Sequence, residues 1–368
     1  MENCKICSEK NYYKINFNNL YLRTDSYNKN LHIYESRVCA NCGVVYQFPQ
    51  IAPEKIAEYY KNDMRKTKFP IYFDKENFID FPLHFEQTGI SFQRFYLFYK
   101  IIEEQKKNYE DLKLDNKVTV LDYGAYQGAF LYGCKKMWNV NTIAYDYNED
   151  GLNFAKDFLK IDNTYIAKKT DEDTFNQKID ICTAIQVLEH IFDPEKFLNH
   201  IKKNVLKNKG YIYIEVPSAL SSEFSNPGHV FTHTKESIKY LFENCGYKII
   251  HLSEEHIYNY KRIPTLKRHV QTMIHCLAVC QENDALDYNK KINIGKKIYE
   301  EINTFHFKNS NKIFIISLKK FIKDFIKISY FGIFISIGYI SRKLSFNLFN
   351  FSNNIFKKIP IIKDIRRK

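Results

Sequence analysis

Residues 118–128 read Val-Thr-Val-Leu-Asp-Tyr-Gly-Ala-Tyr-Gln-Gly, and they carry the strongest structural signal in the chain. The first five residues form an apolar, β-branched run that is typical of a buried strand. The loop that follows contains Gly124 and Gly128, and glycines let a backbone turn sharply and approach a ligand closely. A helix is predicted over 129–137, so its free N–H groups face the same loop. This stretch therefore predicts a strand–turn–helix with a ligand site at the turn.

Strands and helices alternate along the chain after this turn. The sequence predicts strands over 142–146, 179–185, 211–216 and 247–252, and helices over 152–159, 194–206 and 234–246. This alternation predicts an α/β fold with a Rossmann-like, doubly wound, mostly parallel sheet. Ligands of such sheets bind outside the carboxyl ends of the strands. The second strand ends at Asp146, whose carboxylate can accept hydrogen bonds from both ribose hydroxyls of a nucleoside.

Four of the nine cysteines form two Cys-x2-Cys pairs, Cys4 with Cys7 and Cys39 with Cys42. Two such knuckles complete the tetrahedral Cys4 shell of a structural zinc ion, and a full shell leaves no open position for catalysis. Strand-like patches at 12–17 and 31–38 predict a hairpin that holds the knuckles together. The alternative is four ordinary thiols whose pairing is coincidental.

The turn at 122–128 resembles motif I of the class I S-adenosylmethionine (SAM) dependent methyltransferases, Val-Leu-Asp-x-Gly-x-Gly-x-Gly. The resemblance continues through residues 179–182, through the Leu-Glu-His and Asp-Pro motifs within 187–194, and through the segment at 229–234. Residues 39–47 are similar to the zinc-binding front end of the subgroup that contains sugar C-methyltransferases. In all, the resemblance covers residues 1–60 and 116–255.

The resemblance implies SAM as the cofactor and assigns contacts to its methionine and ribose portions. Asp122, Gly124 and Gly128 would line the methionine and amino end, and Asp146 would hold the ribose. Tyr126 departs from the family pattern because it occupies the place of the middle glycine. The fit of the methionine portion depends on that substitution.

The resemblance also assigns Asp171 to the adenine, and Gln186 and Leu188 to the wall of the site after the fourth strand. Two other interpretations of the glycine loop stay open, a turn without a ligand and an NAD site. NAD binding would prefer Gly-x-Gly-x-x-Gly, and no glycine here completes that triplet.

Histidines are the expected bases for methyl transfer to a sugar hydroxyl or to a carbon next to a carbonyl, because a proton must leave such an acceptor. His229 matches the histidine of the Glu-His motif in sugar C-methyltransferases, with Gly228 in place of the glutamate. His190, at the mouth of the cleft, and His233 are the other candidates, and Glu189 would orient a base or a substrate hydroxyl. Alternatively, the histidines are structural and Glu189 caps the next helix.

The 368 residues, of which 45% are hydrophobic and 26% charged, are enough for several folded units. We predict a zinc-ribbon module at 1–48, a helical connecting region at 49–115, a SAM-binding methyltransferase domain at 116–255 and a helical basic extension at 256–368.

The net charge of +13 is concentrated in residues 312–368, where 13 Lys or Arg and two Asp give +11. Apolar residues interspersed with lysines at 312–327 predict an amphipathic helix on an anionic membrane surface; a helical cap with solvated lysines is the alternative. The amino terminus lacks the apolar segment of a signal peptide. The 14 uncharged residues at 328–341 are fewer than the roughly 20 of a spanning helix. We therefore predict a cytoplasmic protein, peripheral on the inner face of the membrane.

The predicted function is SAM-dependent methylation of a nucleotide sugar or a cell-surface glycan precursor in polysaccharide biosynthesis. The alternatives are an RNA-binding methyltransferase and a non-catalytic SAM-binding protein. Nucleic acid is disfavoured as a partner, because neither Asn-Pro-Pro-Tyr nor Asp-Pro-Pro-Tyr follows the fourth strand.

Overall fold

The structure is a computed structural model that describes residues 3–15, 35–50, 52, 54, 90–168, 172–220, 229–258, 270–281 and 292–304. The elements are, in chain order, β1 (Tyr12–Ile15), β2 (Glu35–Cys39), β3 (Val45–Phe48), α1 (Ile90–Gln105), β4 (Thr119–Tyr123), α2 (Ala129–Trp138), β5 (Asn141–Asp146), α3 (Glu149–Asp157), β6 (Asn163–Ile166), β7 (Ile179–Ile185), α4 (Pro194–His200), β8 (Leu206–Pro217), β9 (Phe231–Thr232), α5 (Lys235–Asn244), β10 (Tyr247–Tyr258), β11 (Val270–Cys280) and a final helix, α6, at 295–304.

The central sheet of the described chain has seven strands in the order β10-β11-β8-β7-β4-β5-β6. Strands β4 to β8 pair in parallel, and only β11 runs antiparallel to its neighbours. The predicted fold class, a Rossmann-like doubly wound sheet, is confirmed. After β4 the chain builds one half of the sheet through β5 and β6, and then crosses to β7 on the other side of β4. This reversal creates the crevice in which such sheets bind ligands.

The helix caps follow the residue types in the sequence. The side chain of Asp193 accepts a hydrogen bond from the Lys196 N–H at 2.9 Å, and Pro194 occupies the first turn of α4, where its missing N–H costs nothing. Thr234 and Ser237 form a reciprocal capping box at the start of α5. These caps fix the starts of α4, which follows the turn with His190, and of α5, which follows the segment with His229 and His233.

Strand β11 corrects the prediction of a helical extension from residue 256 onward. Residues 270–280 form a strand between β8 and β10, and β10 itself continues to Tyr258. This strand is mostly apolar and lacks a regular alternation of polar and apolar residues, so sequence periodicity alone does not separate it from a buried helix. The predicted helix at 194–206 is also shorter: α4 ends at His200, a π-helical turn covers 201–205, and β8 begins at Leu206.

A second sheet, in the order β1-β2-β3-β9, joins the three amino-terminal strands to residues 231–232. Residues Met1–Asn303 form one compact unit. The knuckle at 39–42 also holds the residues that precede α6. The Asn41 Oδ1 accepts hydrogen bonds from the N–H groups of Ile292 (2.8 Å) and Asn293 (3.1 Å), and the Gly295 N–H donates to the Ala40 carbonyl at 3.0 Å.

The basic segment at 312–368 lies outside the described residues, so the amphipathic helix and its membrane surface stay predictions. Within the described ranges, none of the helices combines the length and the apolar character that crossing a bilayer requires.

Candidate functional site

The loop between β4 and α2 adopts the left-handed backbone that its glycines predict. Gly124 and Gly128 both have φ +74, and a Cβ at Gly124 would lie 2.7 Å from the Val187 Cγ2. At Gly128 the added atom would lie 2.9 Å from the Ala155 Cβ, so this glycine lets α2 pack closely on α3. Gly124 is exposed between buried neighbours. The crest of the loop is therefore open to a ligand.

Tyr126 takes up the backbone shape that the missing middle glycine would supply. Its φ is +48, a conformation that is strained for a bulky residue. Two features compensate for the strain. The Tyr126 N–H donates to the Asp146 Oδ2 at 2.9 Å, and Gly151 makes room, since a Cβ there would lie 2.9 Å from the Tyr126 carbonyl oxygen. The tyrosine thus preserves the loop instead of disrupting it.

Asp146 lies at the carboxyl end of β5 and is buried. Besides Tyr126, the Asn148 N–H donates to it, at 2.7 Å to Oδ1. The arrangement fixes the carboxylate at the edge of the loop and fits the predicted ribose contact.

Asp122 is the fourth residue of β4 and is 3% exposed. Burial raises the pKa of its carboxyl to about 7, and the nearby Asp146 and Glu215 add to the increase, while a hydrogen bond from the Thr183 hydroxyl (2.6 Å to Oδ1) opposes it. A carboxyl that titrates near neutrality can become charged when a cation approaches. The predicted neighbour, the amino end of SAM, is such a cation.

Two charged residues beside this loop were missed by the sequence analysis. Arg94 on α1 lies with its Nε 2.7 Å from the Glu215 Oε1, and Glu215, on β8, is fully buried. Both act electrostatically on Asp122, so a guanidinium and carboxylates meet where a zwitterionic amino-acid end would bind. Neither residue belongs to the quoted motifs, and their proximity depends on how α1 packs against the sheet.

Gln186 follows β7 and links the Arg94–Glu215 pair to the wall of the crevice. Its backbone is left-handed (φ +57), its N–H donates to the Glu215 carbonyl at 2.8 Å, and its side chain reaches the Glu215 Oε1 at 3.2 Å. Left-handed backbone at a non-glycine residue concentrates at functional sites. Leu188 is fully buried behind it, so it contributes packing to that wall.

The adenine end of the predicted site is described only in part, because Asp171 lies outside the described residues. Tyr147, directly after Asp146, is 53% exposed and was also missed. An exposed aromatic ring next to Asp146 offers a face on which a purine can stack.

Three of the four predicted catalytic side chains lie together. Glu189 and His190 sit on a 3₁₀ turn after β7, and the rings of His190 and His229 are 4.9 Å apart between centroids. The His190 Nε2 lies 3.7 Å from the Glu189 Oε1, and ligand atoms of all three residues lie within 4.8 Å of one another. The Glu189 side chain is 1% exposed and that of His190 22% exposed. Their proximity is not visible in the sequence, because about 40 residues separate His190 from His229.

His233 differs from these three in its surroundings. It is fully buried, burial lowers its pKa to about 3, and its Nδ1 lies 3.4 Å from the Ser237 Oγ at the start of α5. An imidazole that stays neutral in this position is suited to packing. This environment favours a structural role for His233 over the predicted role as a base.

The four amino-terminal cysteines form one cluster. The Sγ atoms of Cys4 and Cys42 are 3.7 Å apart and those of Cys7 and Cys39 3.4 Å, and none of the four is in a disulfide. Burial raises the pKa of the Cys42 thiol well above its usual value, so a nearby cation is needed to hold it as a thiolate. The donor set and its spacing fit a structural zinc ion.

Metal analysis is expected to find one zinc per chain. Cys39→Ser should lose it, because zinc with three thiolates and a hydroxyl is held less well than with the full shell. Cys280→Ser is the matched control, since Cys280 is a buried thiol outside the cluster. A well-folded wild-type protein without metal would contradict this assignment.

A family model described as a methyltransferase domain matches residues 93–252. Among solved structures, the chain is similar to the YcgJ protein of Bacillus subtilis (15% identity, covering 50% of this chain and 100% of that chain, TM-score 0.38). It is also similar to the N-methyltransferase NodS of Bradyrhizobium japonicum in complex with S-adenosylhomocysteine (14% identity, covering 49% of this chain and 88% of that chain, TM-score 0.35). A further similar structure is a SAM-dependent methyltransferase from Anabaena variabilis (11% identity, covering 49% of this chain and 84% of that chain, TM-score 0.38). A search of curated proteins found no match.

The match over residues 93–252 spans α1, the loop with Gly124 and Gly128, Asp146, and the turn that carries His190. The segment therefore contains both the crevice at the carboxyl ends of β4 and β5 and the strand order that creates it. On this evidence residues 93–252 of the chain form a methyltransferase domain.

Proposed function

We propose that the enzyme transfers a methyl group from SAM to a sugar, either a nucleotide sugar or a glycan precursor, with a histidine as general base. The observation that carries the proposal is the convergence of Glu189, His190 and His229 beside the crevice. A sugar hydroxyl, or a carbon next to a carbonyl, must lose a proton during methylation. The resemblance of residues 39–47 to the sugar C-methyltransferase subgroup supports this acceptor class.

The protein's own residues hold and orient the reactants. Bound SAM supplies an activated methyl group. Asp146 would hold the ribose, and Asp122 together with Arg94 would receive the ammonium and the carboxylate of the methionine end. Fixing the acceptor in line with the methyl group can lower the barrier by about 7–11 kcal/mol.

The histidine pair would remove the acceptor's proton. His229 is the proposed base, and His190, which is more exposed, lies beside it. The Glu189 carboxylate lies near His190 in a buried setting, where Coulomb attraction is weakly screened. It would therefore stabilise the imidazolium that forms when the pair accepts a proton.

The test measures formation of S-adenosylhomocysteine with a panel of nucleotide sugars. His229→Gln is expected to lower kcat by about 10²–10⁴-fold, the usual contribution of a general base, while the Kd for SAM stays unchanged. His190→Gln should have a smaller effect. His251→Gln is the matched control, because this partly buried histidine lies on β10 and bonds to Ser253.

Two results would contradict the proposal. One is a normal kcat in both His229→Gln and His190→Gln with a sugar acceptor. The other is methylation of RNA but of no sugar, together with an electrophoretic shift of RNA that weakens steeply with salt. If SAM binds and no acceptor class is methylated, the non-catalytic alternative gains support.

A further inference from the structure

We propose that the zinc-binding cysteine cluster is a positioning element for the histidine segment, defined here as residues 229–234. The cluster would hold a hairpin that in turn fixes the strand next to His229. The inference rests on the proposed function only for its activity readout. The positional claim itself depends on the contacts between the hairpin and the segment.

The first step is the closure of the hairpin by the cysteines. Cys39 ends β2 and Cys42 lies in the turn that leads to β3. The Cys39 N–H donates to the Val44 carbonyl at 2.9 Å, and β2 and β3 pair from Glu35 opposite Phe48 to Val38 opposite Val45. A zinc ion bound to Cys39 and Cys42 would therefore clamp the turn from which β3 starts.

The second step is the pairing of β3 with β9. Val45 lies opposite Thr232 and Tyr46 opposite Phe231 in an antiparallel register. Phe231 is 1% exposed and belongs to the same core cluster as Tyr46, Cys4, Cys39 and Cys42. A strand of two residues contributes few hydrogen bonds of its own, so the longer, cysteine-closed hairpin supplies the template on which it lies.

The third step is the connection from β9 to the histidine site. The Val230 N–H donates to the Glu189 carbonyl at 2.8 Å, which ties the segment to the turn that carries Glu189 and His190. At the other end, the Ala219 N–H donates to the His233 carbonyl at 2.7 Å. The segment is therefore held from three directions, by β3, by the turn after β7 and by the end of β8.

The SAM crevice is tied by a different set of bonds. Asp146 binds the N–H groups of Tyr126 and Asn148, and Thr183 binds Asp122; these bonds join β4, β5, β7 and the loops that follow β4 and β5. Loss of zinc should therefore displace the histidine segment and leave the SAM contacts in place. A displacement of about 1 Å at a catalytic group can cost about a hundredfold in rate.

The experiment compares zinc-loaded protein with protein stripped by a chelator, using three readouts. These are the imidazole NMR signals of His229 and His190, identified from the Gln variants, the Kd for SAM by calorimetry, and kcat. We expect the His229 signal to shift or broaden, kcat to fall by about a hundredfold, and the Kd for SAM to stay unchanged. An unchanged His229 signal in folded, zinc-free protein would overturn the proposal.

A second variant covers the case in which stripped protein unfolds. Thr232→Pro keeps all four cysteines but prevents β9 from donating to a ladder at that position. It should retain one zinc and reproduce the shift of the His229 signal; retention of zinc with a native His229 signal would overturn the proposal. If His229→Gln leaves kcat normal, the histidine base is wrong, and the NMR comparison still decides the positional claim.

Discussion

Replacing Asp146 with alanine is expected to weaken SAM binding by about 10²–10⁴-fold, the equivalent of two charge-assisted hydrogen bonds of about 1.5–3 kcal/mol each. The carboxylate that would bind the ribose is buried at the end of β5, and the variant lacks it. The variant also loses the hydrogen bond from the Tyr126 N–H, which compensates for the backbone strain of the left-handed Tyr126. Calorimetric titration with SAM measures both effects together.

Asp150→Ala is the matched control for this experiment. Asp150 lies in the first turn of α3, four residues further on, and is exposed. The Asp150→Ala variant removes the same charge and leaves the glycine loop unchanged, so the affinity of this variant for SAM should be close to that of the wild type. Normal affinity in Asp146→Ala would show that the ribose carboxylate has been misplaced.

Asp122 is expected to make SAM binding depend on pH. In the ligand-free protein the pKa of this carboxyl is raised to about 7, so below neutrality it is mostly protonated. A cationic amino end binds the ionised form, and affinity should therefore rise about tenfold per pH unit below that pKa. Calorimetry near pH 6, repeated in buffers of different ionisation enthalpy, should detect release of close to one proton per SAM. Binding without proton release and without pH dependence would contradict this assignment.

The same group should lower the stability of the ligand-free protein at neutral pH. A folded-state pKa above the ordinary value of 3.8 means that the folded state keeps a proton that the unfolded chain has lost. Stability should therefore fall as pH rises from about 4 to about 7 and then level off. Asp122→Asn retains the acceptor for Thr183 and removes the titration. At about pH 8 it should be more stable than the wild type by an amount on the order of 4 kcal/mol, with the difference disappearing near pH 4 in urea unfolding. A constant difference across this range would contradict the prediction.

The central sheet could be predicted because its signals are local. The β-branched run before Asp122, the glycines after it and the Asp193-Pro194 helix start each depend on neighbouring residues. For the same reason the positions of β4, β5 and β7 differ from their predicted bounds by no more than one residue. The cysteine pairs are also local, and the structure brings all four together.

The remaining features depend on contacts between distant residues. Strand β11 is predominantly apolar but contains Gln271, Thr272 and His275, and its pairing with β8 and β10 is what identifies it as a strand. Arg94 reaches Glu215 across about 120 residues of chain, and no spacing rule connects a helix before the first core strand to the end of β8. His233 follows His229 by only four residues in the sequence, whereas its side chain is fully buried beside Ser237 at the start of α5.

The bonds between the second knuckle and residues 292–295 determine how the chain can be shortened. Asn41 caps the backbone of Ile292 and Asn293, and a Cβ at Gly295 would lie 2.1 Å from the Cys39 carbonyl oxygen. A truncation at residue 255, where resemblance to the family ends, would remove these partners of the knuckle and would also remove β11, which pairs with β8 and β10. A minimal soluble fragment for crystallisation should therefore extend through residue 304.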